Sequence, residues 1–335
     1  MATKMSDVAK LAKVSTATVS RVLTDDPRVT SRTRRRVLEA VQTLEYKPNR
    51  LASNFRKNSS RTVLVVLPDI TNPFFSEIVQ GFEAAALERD YHVLLGDTRN
   101  SLVLERDFIQ LATERFVDGL VLATARLSKQ DLLPICEQIP VVLACEYLDD
   151  IDLSTVSIDN VEAARTATQH LMDLGHERIG FVTGSLNVIL SRDRLRGFRE
   201  AHLLRGFAVD GTMIVEGDFV SESGEAAVEQ LLNRNPRPTA IAFSGDQMAI
   251  GALRALRRKG IRVPEDISVI GFDDVPMCQY VQPELTTIHQ PKFEIGLTAM
   301  NLLLDIIEQK SKIPKRIILP HRLIQRDSTA RCIEK

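Results

Sequence analysis

The sequence predicts an α/β protein with a small helical head, a hinge, and a two-lobed body built on doubly wound parallel sheets. Three observations lead to this fold class. Apolar residues recur at helical spacing near the start of the chain. Continuous β-branched runs alternate with helical stretches from residue 62 onward, and this α/β pattern repeats after residue 160. The 335 residues are enough for two or three domains.

The head begins with a helix-turn-helix pattern in residues 8–23. Apolar residues lie at helical spacing on both sides of Ser15, whose hydroxyl can cap the second helix. We predict helices at about 6–12 and 16–23, followed by a third helix that Thr30 caps. In this motif the second helix lies in the DNA major groove. A helical hairpin that does not bind DNA is the alternative.

Charge is divided unevenly along the chain. Residues 1–61 contain 14 Lys and Arg against 5 Asp and Glu, whereas the remainder contains 29 against 39. A basic head suits phosphate binding, because lysine and arginine release counterions from DNA while the acidic body keeps the protein in solution. A solvated helix surface would explain the Arg34–Arg36 run but not this division.

The rest of the chain alternates between strands and helices. We predict strands at 62–68, 91–97, 118–124, 141–146, 155–160, 178–184, 213–218, 239–245 and 268–274. The predicted helices are 73–89, 102–115, 128–138, 161–174, 191–205, 221–233 and 247–259. Ligands bind beyond the carboxyl ends of parallel strands, so two such sheets facing each other should enclose a cleft that closes by a hinge motion.

These elements suggest the domain boundaries. The helix-turn-helix domain is expected at 1–47, the hinge helix and linker at 48–61, and the two-lobed body at 62–335. Lobe 1 should comprise about 62–160 plus 291–320. Lobe 2 should comprise about 161–290 plus 321–330.

Several classes of site lack a signature. The chain contains no GxxxxGK[ST], no GxGxxG after a strand and no GxSxG, so we expect no catalytic residue. The four cysteines are scattered and the six histidines show no ligand spacing, so we expect packing thiols and no metal or cofactor. No apolar run reaches the roughly 18 residues of a membrane span, and no signal segment opens the chain, so we expect a cytoplasmic protein.

The head motifs "DVAKLAKVSTATVSRVL" and "VTSRTRRRVLEAVQTLEYKPNRLA" resemble the DNA-binding head of the LacI/GalR family. The body motifs "LPDITNPFFSEIVQGFE", "VPEDISVIGFDD" and "PELTTIHQP" resemble the periplasmic-binding-protein fold that this family carries. Within the family, the chain is most similar to the nucleoside-repressor subfamily. The resemblance covers essentially the whole chain.

The resemblance implies a set of DNA contacts. Arg21 is expected to read base edges together with Thr16 and Ala17, and its guanidinium suits guanine O6 and N7; a surface arginine without base contact is the alternative. In the hinge, Phe55 stands where the family usually has a leucine wedge that opens the central base step. Alternatively, Phe55 packs on the body. The expected DNA-binding residues are Ser15, Thr16, Ala17, Thr18, Arg21, Thr33, Asn49, Ala52 and Phe55.

The resemblance also implies an effector site between the lobes. Arg194 and Asp273 are the expected anchors of a small polar ligand, because together they make charge-assisted hydrogen bonds to hydroxyl groups. Phe75 and Phe219 are the expected stacking walls. Alternatively, Arg194 forms a salt bridge between lobes and Phe74 is core packing. The expected effector-binding residues are Phe74, Phe75, Arg194, Phe219, Asp246, Asp273 and Gln290.

We therefore expect a DNA-binding transcriptional regulator, most simply a repressor, controlled by a nucleoside or sugar effector. The chain ends without the leucine heptad helix of the family's tetramers, so we expect a homodimer on a palindromic operator. The loop 185–193 departs from the nucleoside-binding relatives and leaves the effector's identity open. The alternatives are a solute-binding protein without gene regulation and a sugar- or nucleoside-processing enzyme.

Overall fold

The structure, a computed structural model, describes residues 3–23, 25–46, 59–124, 126–148, 151–310 and 313–333. It divides into two compact units, Met1–Ser60 and Arg61–Lys335. The described part of the first unit contains the helices α1 (Met5–Leu11), α2 (Thr16–Leu23) and α3 (Ser31–Thr43). Their apolar faces meet in a core that includes Val8, Val19, Val22, Val37, Ala40 and Tyr46.

Local capping sets where the first two helices begin. Helix α2 begins at its predicted residue, because Ser15 Oγ accepts the backbone N–H of Thr18 at 3.1 Å. Helix α1 begins one residue earlier than predicted, at Met5, because the Asp7 carboxylate accepts the backbone N–H of Lys4 at 2.9 Å. The helix-turn-helix arrangement predicted from the sequence is confirmed.

Lobe 1 of the second unit is built on a six-stranded sheet with the order β11-β5-β4-β3-β1-β2, in which every pair of neighbours is parallel. Its strands are β1 (Thr62–Leu67), β2 (His92–Asp97), β3 (Gly119–Leu122), β4 (Val141–Ala144), β5 (Ser154–Ile158) and β11 (Arg316–Leu319). Its helices are α4 (Phe74–Glu88), α5 (Leu102–Leu111), α6 (Lys129–Cys136) and α11 (Lys292–Ile307).

Lobe 2 is built on a four-stranded parallel sheet with the order β7-β6-β8-β9. Its strands are β6 (Ile179–Thr183), β7 (Ile214–Glu216), β8 (Ala240–Phe243) and β9 (Ser268–Ile270). Its helices are α7 (Asn160–Asp173), α8 (Ile189–Leu204), α9 (Ser221–Leu232) and α10 (Asp246–Arg258). Helices shield the sheets of both lobes, which is why most strands read as continuous apolar runs. The predicted doubly wound parallel sheets are confirmed.

The chain passes between the lobes three times. The first crossing lies at Asp159, between β5 and α7. The other two contain β10 (Thr287–His289) and β12 (Arg322–Ile324), which pair as a small antiparallel sheet. Such short connecting segments are where a hinge motion is absorbed.

The sequence prediction missed helix α11 and the strands β10, β11 and β12, and it misplaced the end of α5. Helix α11 was not predicted, because it lies against both α4 and the sheet of lobe 1 and so lacks the polar face that reveals a helix in a sequence. Helix α5 ends at Leu111 rather than at residue 115. A π-helical turn, Ala112–Phe116, follows it, and the wider turn lets Ala112 and Val117 both reach the core.

The crossing of α4 and α11 depends on two glycines. A Cβ on Gly296 would lie 2.0 Å from the carbonyl oxygen of Ile78, and one on Gly81 would lie 2.1 Å from that of Phe293. Because backbone atoms cannot rotate away, we expect Gly296→Ala to lower the free energy of unfolding by about 1–3 kcal/mol. Urea unfolding measures this. Gly211→Ala is the control, since a Cβ on that residue would meet no heavy atom within 4 Å other than those of the adjacent residues. Equal stability of both variants would contradict the prediction.

Candidate functional site

The first turn of α2 is presented to solvent. A left-handed residue, Lys13 with φ of 50°, makes the turn between α1 and α2. Thr16, Ala17 and Arg21 are exposed on α2, while Val19 on the opposite face is fully buried. The positions expected to read bases therefore share one open face of the head.

The hydroxyl groups near this face have structural partners. Thr18 is half-buried, and its Oγ1 lies 2.9 Å from Ser15 Oγ. Thr33 is half-buried at the start of α3, where its backbone N–H donates to Thr30 Oγ1 at 3.4 Å. The expected hinge residues Asn49, Ala52 and Phe55 lie outside the described residues.

Two arginines of α3 brace the head. Arg36 donates to the backbone carbonyls of Ala12 and Lys13 at the end of α1. Arg34 contacts the Asp25 carboxylate and donates to the carbonyl of Asp26 at 2.9 Å. Part of the basic run at 34–36 therefore holds the helices and turns of the head together.

The second unit contains a cleft between its lobes, lined by residues that follow the carboxyl ends of strands. Five of the seven predicted effector residues line it: Phe74, Phe75, Arg194, Phe219 and Asp273. Val188 and Leu190, from the loop expected to border the cleft, also line it. The two sheets thus place the predicted anchors and aromatic walls around one space.

Arg194 is buried at the base of the cleft. Its Nε donates to Asn160 Oδ1 at 2.9 Å and its Nη1 to the Ser244 carbonyl at 2.5 Å. Nη1 lies 3.8 Å from Asp273 Oδ1, and the guanidinium stacks 3.7 Å from the centre of the Phe272 ring. Asn160, Ser244 and Phe272 hold the guanidinium in place, so its orientation is fixed before any ligand enters.

Gln290 and Asp246 lie behind Asp273 rather than on the lining. Gln290 Nε2 donates to Asp273 Oδ1 at 2.7 Å. Asp246 is fully buried, and its carboxylate accepts from Thr287 Oγ1 at 2.6 Å and from the Val275 backbone N–H at 2.9 Å. In this arrangement both residues support Asp273.

Aromatic rings form opposite walls. The ring of Phe219, a residue with φ of 71°, packs over Gly184, where a Cβ would lie only 2.0 Å from the ring. A Cβ on Gly245 would lie 3.1 Å from the same ring. Phe74 and Phe75 meet edge to face with centroids 5.0 Å apart and also belong to the core. The rings are therefore held at fixed positions.

Six polar residues of the cleft were not among the predicted site residues: Asp69, Asn72, Asn100, Arg126, Glu146 and Asp218. Three of them carry a common signal. Asp69, Glu146 and Asp218 each stand two residues after the end of a parallel strand. The rule that ligands bind beyond the carboxyl ends of parallel strands would have found them.

One hydrogen bond joins the rims of the cleft. Tyr147, which follows β4 in lobe 1, donates from its hydroxyl to Asp193 Oδ2 in lobe 2 at 2.6 Å. Arg196 contacts the other oxygen of Asp193 at 3.1 Å. These partners adjoin the cleft residues Glu146 and Arg194 in sequence, so the rim contact is tied directly to the lining.

The buried carboxyls behind the cleft have shifted acidities. Burial raises the pKa of Asp246, and the neighbouring Asp273 raises it further. Burial also raises the pKa of Asp273, against the opposing charge of Arg194. The pair therefore keeps a proton to a higher pH in the folded protein than in the unfolded chain.

This shift predicts a pH-dependent stability. The carboxyl has a higher pKa in the folded protein than in the unfolded chain, where its pKa is about 4. Its proton therefore stabilises the folded state below pH 4, and this stabilisation is lost as the pH rises through the folded-state pKa. Asp246→Asn removes one titrating carboxyl. Between pH 4.5 and 8, we expect the free energy of unfolding of wild type to fall relative to that of the variant, by up to about 1.4 kcal/mol per pH unit. Urea unfolding at several pH values measures this difference; a constant difference would contradict the assignment.

The described residues were compared with the requirements of membrane spans, metal sites and disulfide bonds. None of the described helices is long and apolar enough to cross a membrane. The described residues contain no group of three His, Cys, Asp or Glu side chains that could hold a metal ion. All four cysteines are free thiols, and Cys145 and Cys278 are buried, which fits the expected packing role.

Comparison with known proteins identifies the family. The model of the bacterial regulatory proteins of the lacI family matches residues 4–49, and the periplasmic binding protein-like domain matches residues 168–329. The HTH-type transcriptional repressor CytR of Escherichia coli K12 is 42% identical over 334 residues, which covers 98% of this chain and 96% of the relative. Catabolite control protein A of Priestia megaterium is 35% identical over 325 residues, which covers 96% of this chain and 98% of the relative.

Solved structures agree with these relatives. The Lac repressor dimer bound to operator and the anti-inducer ONPF has a TM-score of 0.89 at 28% identity, covering 98% of this chain and 100% of the other. The complex of the transcriptional regulator CelR with cellobiose has a TM-score of 0.74 at 33% identity, covering 97% of this chain and 99% of the other. The chain therefore belongs to the LacI family of bacterial transcriptional regulators, which join a DNA-binding head to an effector-binding body.

Proposed function

We propose that this regulator represses transcription from a palindromic operator, and that a small uncharged polyhydroxy molecule in the inter-lobe cleft adjusts its operator affinity. The observation that carries the proposal is the buried Arg194–Asp273 pair, with its fixed guanidinium, at the base of an aromatic-walled cleft. In a chain with a basic helix-turn-helix head, such a cleft serves as a sensor. We retain the domain boundaries 1–47, 48–61 and 62–335 as part of this proposal.

For the DNA contacts, we assign base reading to the exposed Thr16, Ala17 and Arg21. Ser15 holds the N-terminus of α2, and Thr18 and Thr33, which stand at helix starts, set register on phosphates. Within the hinge, Asn49, Ala52 and Phe55 are assigned to the minor groove by the family match.

The charges of the cleft favour an uncharged effector. Four carboxylates line it, Asp69, Glu146, Asp218 and Asp273, against the guanidinium groups of Arg126 and Arg194. Arg126 already donates to the backbone and side-chain oxygens of Asn100, both at 2.7 Å. A phosphate would meet a surplus of negative charge, whereas hydroxyl groups would find both acceptors and donors. The aromatic walls suit the flat face of a base or sugar.

This charge balance gives a direct test of the effector class. We expect a nucleoside or free sugar to bind at least tenfold more tightly than its own phosphate ester, because like charges facing each other disfavour the complex. Calorimetry of the full-length protein against nucleosides, free sugars and their monophosphates measures this. Tighter binding of the phosphorylated partner would overturn the proposed class, and a hit among sugars alone would exclude a nucleoside effector.

We also propose a homodimer. Leu87, Leu94 and Leu95 are exposed on lobe 1, and Met277 and Tyr280 are exposed on lobe 2. Apolar surface on both lobes suits a second copy aligned along the body. The Lac repressor that this chain resembles was solved as a dimer bound to operator. Sedimentation at micromolar concentration decides the matter, and a monomer or a tetramer would refute the proposed dimer.

The relatives are regulators rather than enzymes. We propose that the cleft binds its ligand without transforming it, and that the protein acts in the cytoplasm, where its operator is. Recovery of the bound ligand as a reaction product would contradict the first statement.

A further inference from the structure

A buried lysine joins the two lobes behind the cleft. Lys292 is the first residue of α11 in lobe 1, and only 2% of its surface is exposed. Its Nζ donates to the backbone carbonyl oxygens of Asp273 at 3.0 Å and Asp274 at 2.8 Å, both in lobe 2. The same Nζ also lies 3.4 Å from the carboxylate Oε1 of Glu77 in lobe 1. One ammonium group therefore contacts both lobes.

Stability alone gives a weak reason for such a group. Removing an ammonium from water is costly, and an apolar side chain of similar size often fills a buried position as well or better. Lys292 is among the largest fully buried side chains of the described residues, and the others in that group include phenylalanine, leucine and isoleucine. The buried lysine is therefore better explained by the segments that it holds in place.

On the lobe 2 side it holds a strained turn. Asp273 has φ of 122° and Asp274 has φ of 57°, so two consecutive non-glycine residues lie in the left-handed region. Such conformations persist only where the surroundings enforce them. Lys292 donates to the carbonyls of both residues, and this turn aims the Asp273 carboxylate at Arg194.

On the lobe 1 side it reaches the aromatic wall. Glu77 lies in the first turn of α4, the turn that begins with Phe74 and Phe75. The Glu77 side chain is 39% exposed, so it touches the lysine from the surface without being part of the core. Through this contact Lys292 ties the segment that carries the aromatic wall to the segment that carries the acidic anchor.

We infer that Lys292 is a positioning residue that sets Asp273 against the aromatic wall of lobe 1 and so determines effector affinity. The inference rests on the proposed effector site for its ligand but on the described contacts for its geometry. A merely structural lysine would stabilise the whole body, whereas a positioning lysine governs the turn at 273–275 and the cleft beside it.

The test uses full-length Lys292→Met, Glu77→Gln and the double variant, with Lys259→Met as the matched control on an exposed lysine. Amide hydrogen exchange reports the turn without any ligand. We expect Lys292→Met to speed exchange at 273–278 at least tenfold, while 62–67 and 240–243 keep wild-type rates. A uniform rise over all three segments, or no rise, overturns the inference.

Binding is the second readout, with adenosine, cytidine, ribose and glucose as probes. For the probe that wild type binds most tightly, we expect Lys292→Met to weaken binding at least tenfold and Glu77→Gln several-fold. Because Glu77 acts through the lysine, the double variant should bind no more weakly than Lys292→Met alone. Unchanged affinity in Lys292→Met overturns the inference. If wild type binds none of the probes, the proposed effector class fails, and the exchange experiment alone decides the role of Lys292.

Discussion

Replacing Arg194 with alanine is expected to abolish effector binding and to lower the free energy of unfolding by about 3–5 kcal/mol. The residue is only 4% exposed, and its removal leaves Asp273 buried without its guanidinium partner. Its removal also leaves the Ser244 carbonyl oxygen and the side-chain oxygen of Asn160 without the hydrogen bonds that the guanidinium donates to them. Urea unfolding and calorimetric titration measure the two effects separately.

Two further variants separate binding from folding. Arg194→Lys keeps the charge but loses the planar fork, so we expect a folded protein that binds the effector at least about tenfold more weakly. Arg194→Met with Asp273→Asn removes the buried charges together, and should recover much of the stability but none of the binding. Arg199→Ala, on the exposed side of the same helix, is the control. Wild-type affinity in Arg194→Lys would contradict the anchoring role.

The second large effect concerns DNA. We expect Arg21→Ala to cost about 1–3 kcal/mol at each operator half-site, and therefore about 2–6 kcal/mol for the proposed dimer on both half-sites. The physical reason is the loss of a bidentate pair with guanine. Fluorescence anisotropy on an operator selected from a random-sequence pool, and on single-base variants of it, measures both affinity and sequence preference.

Arg35→Ala is the matched control, because Arg35 is 79% exposed on α3 and lies near Glu39. A phosphate-contacting or solvated arginine changes affinity equally for all sequences and alters the salt dependence, without relaxing any base position. If Arg21→Ala behaves in that way, Arg21 does not read a base.

The head could be predicted closely because its signals are local. The start of α2 depends on one hydrogen bond between Ser15 and Thr18, three positions apart, and on apolar spacing within a single helix. Helix α11 shows the limit of that approach. Its buried residues include Ile295, Ala299 and Met300 together with the run Leu302 to Leu304, and burial on several sides removes the periodic contrast that marks an amphipathic helix.

The cleft could be predicted in outline but not in its supporting contacts. Strand ends placed Phe219 and Asp273 on the lining, the family resemblance placed Arg194 there, and the strand-end signal was also available for Glu146. Asp246 was also expected there, yet its carboxylate turns inward to Thr287, 41 residues away along the chain. The contact between Lys292 and Glu77 spans an even longer separation. No periodicity in one sequence encodes such pairs, because the topology of the two lobes brings them together.

We expect this one chain to couple a ligand bound in the cleft to DNA bound by the head. The most direct test is the operator affinity of the full-length protein with and without a saturating cleft ligand, together with the ligand affinity with and without operator. Coupling is reciprocal, so we expect each partner to change the affinity for the other by the same factor, on the order of 5–150-fold. Tight binding of both partners with neither affecting the other would contradict it.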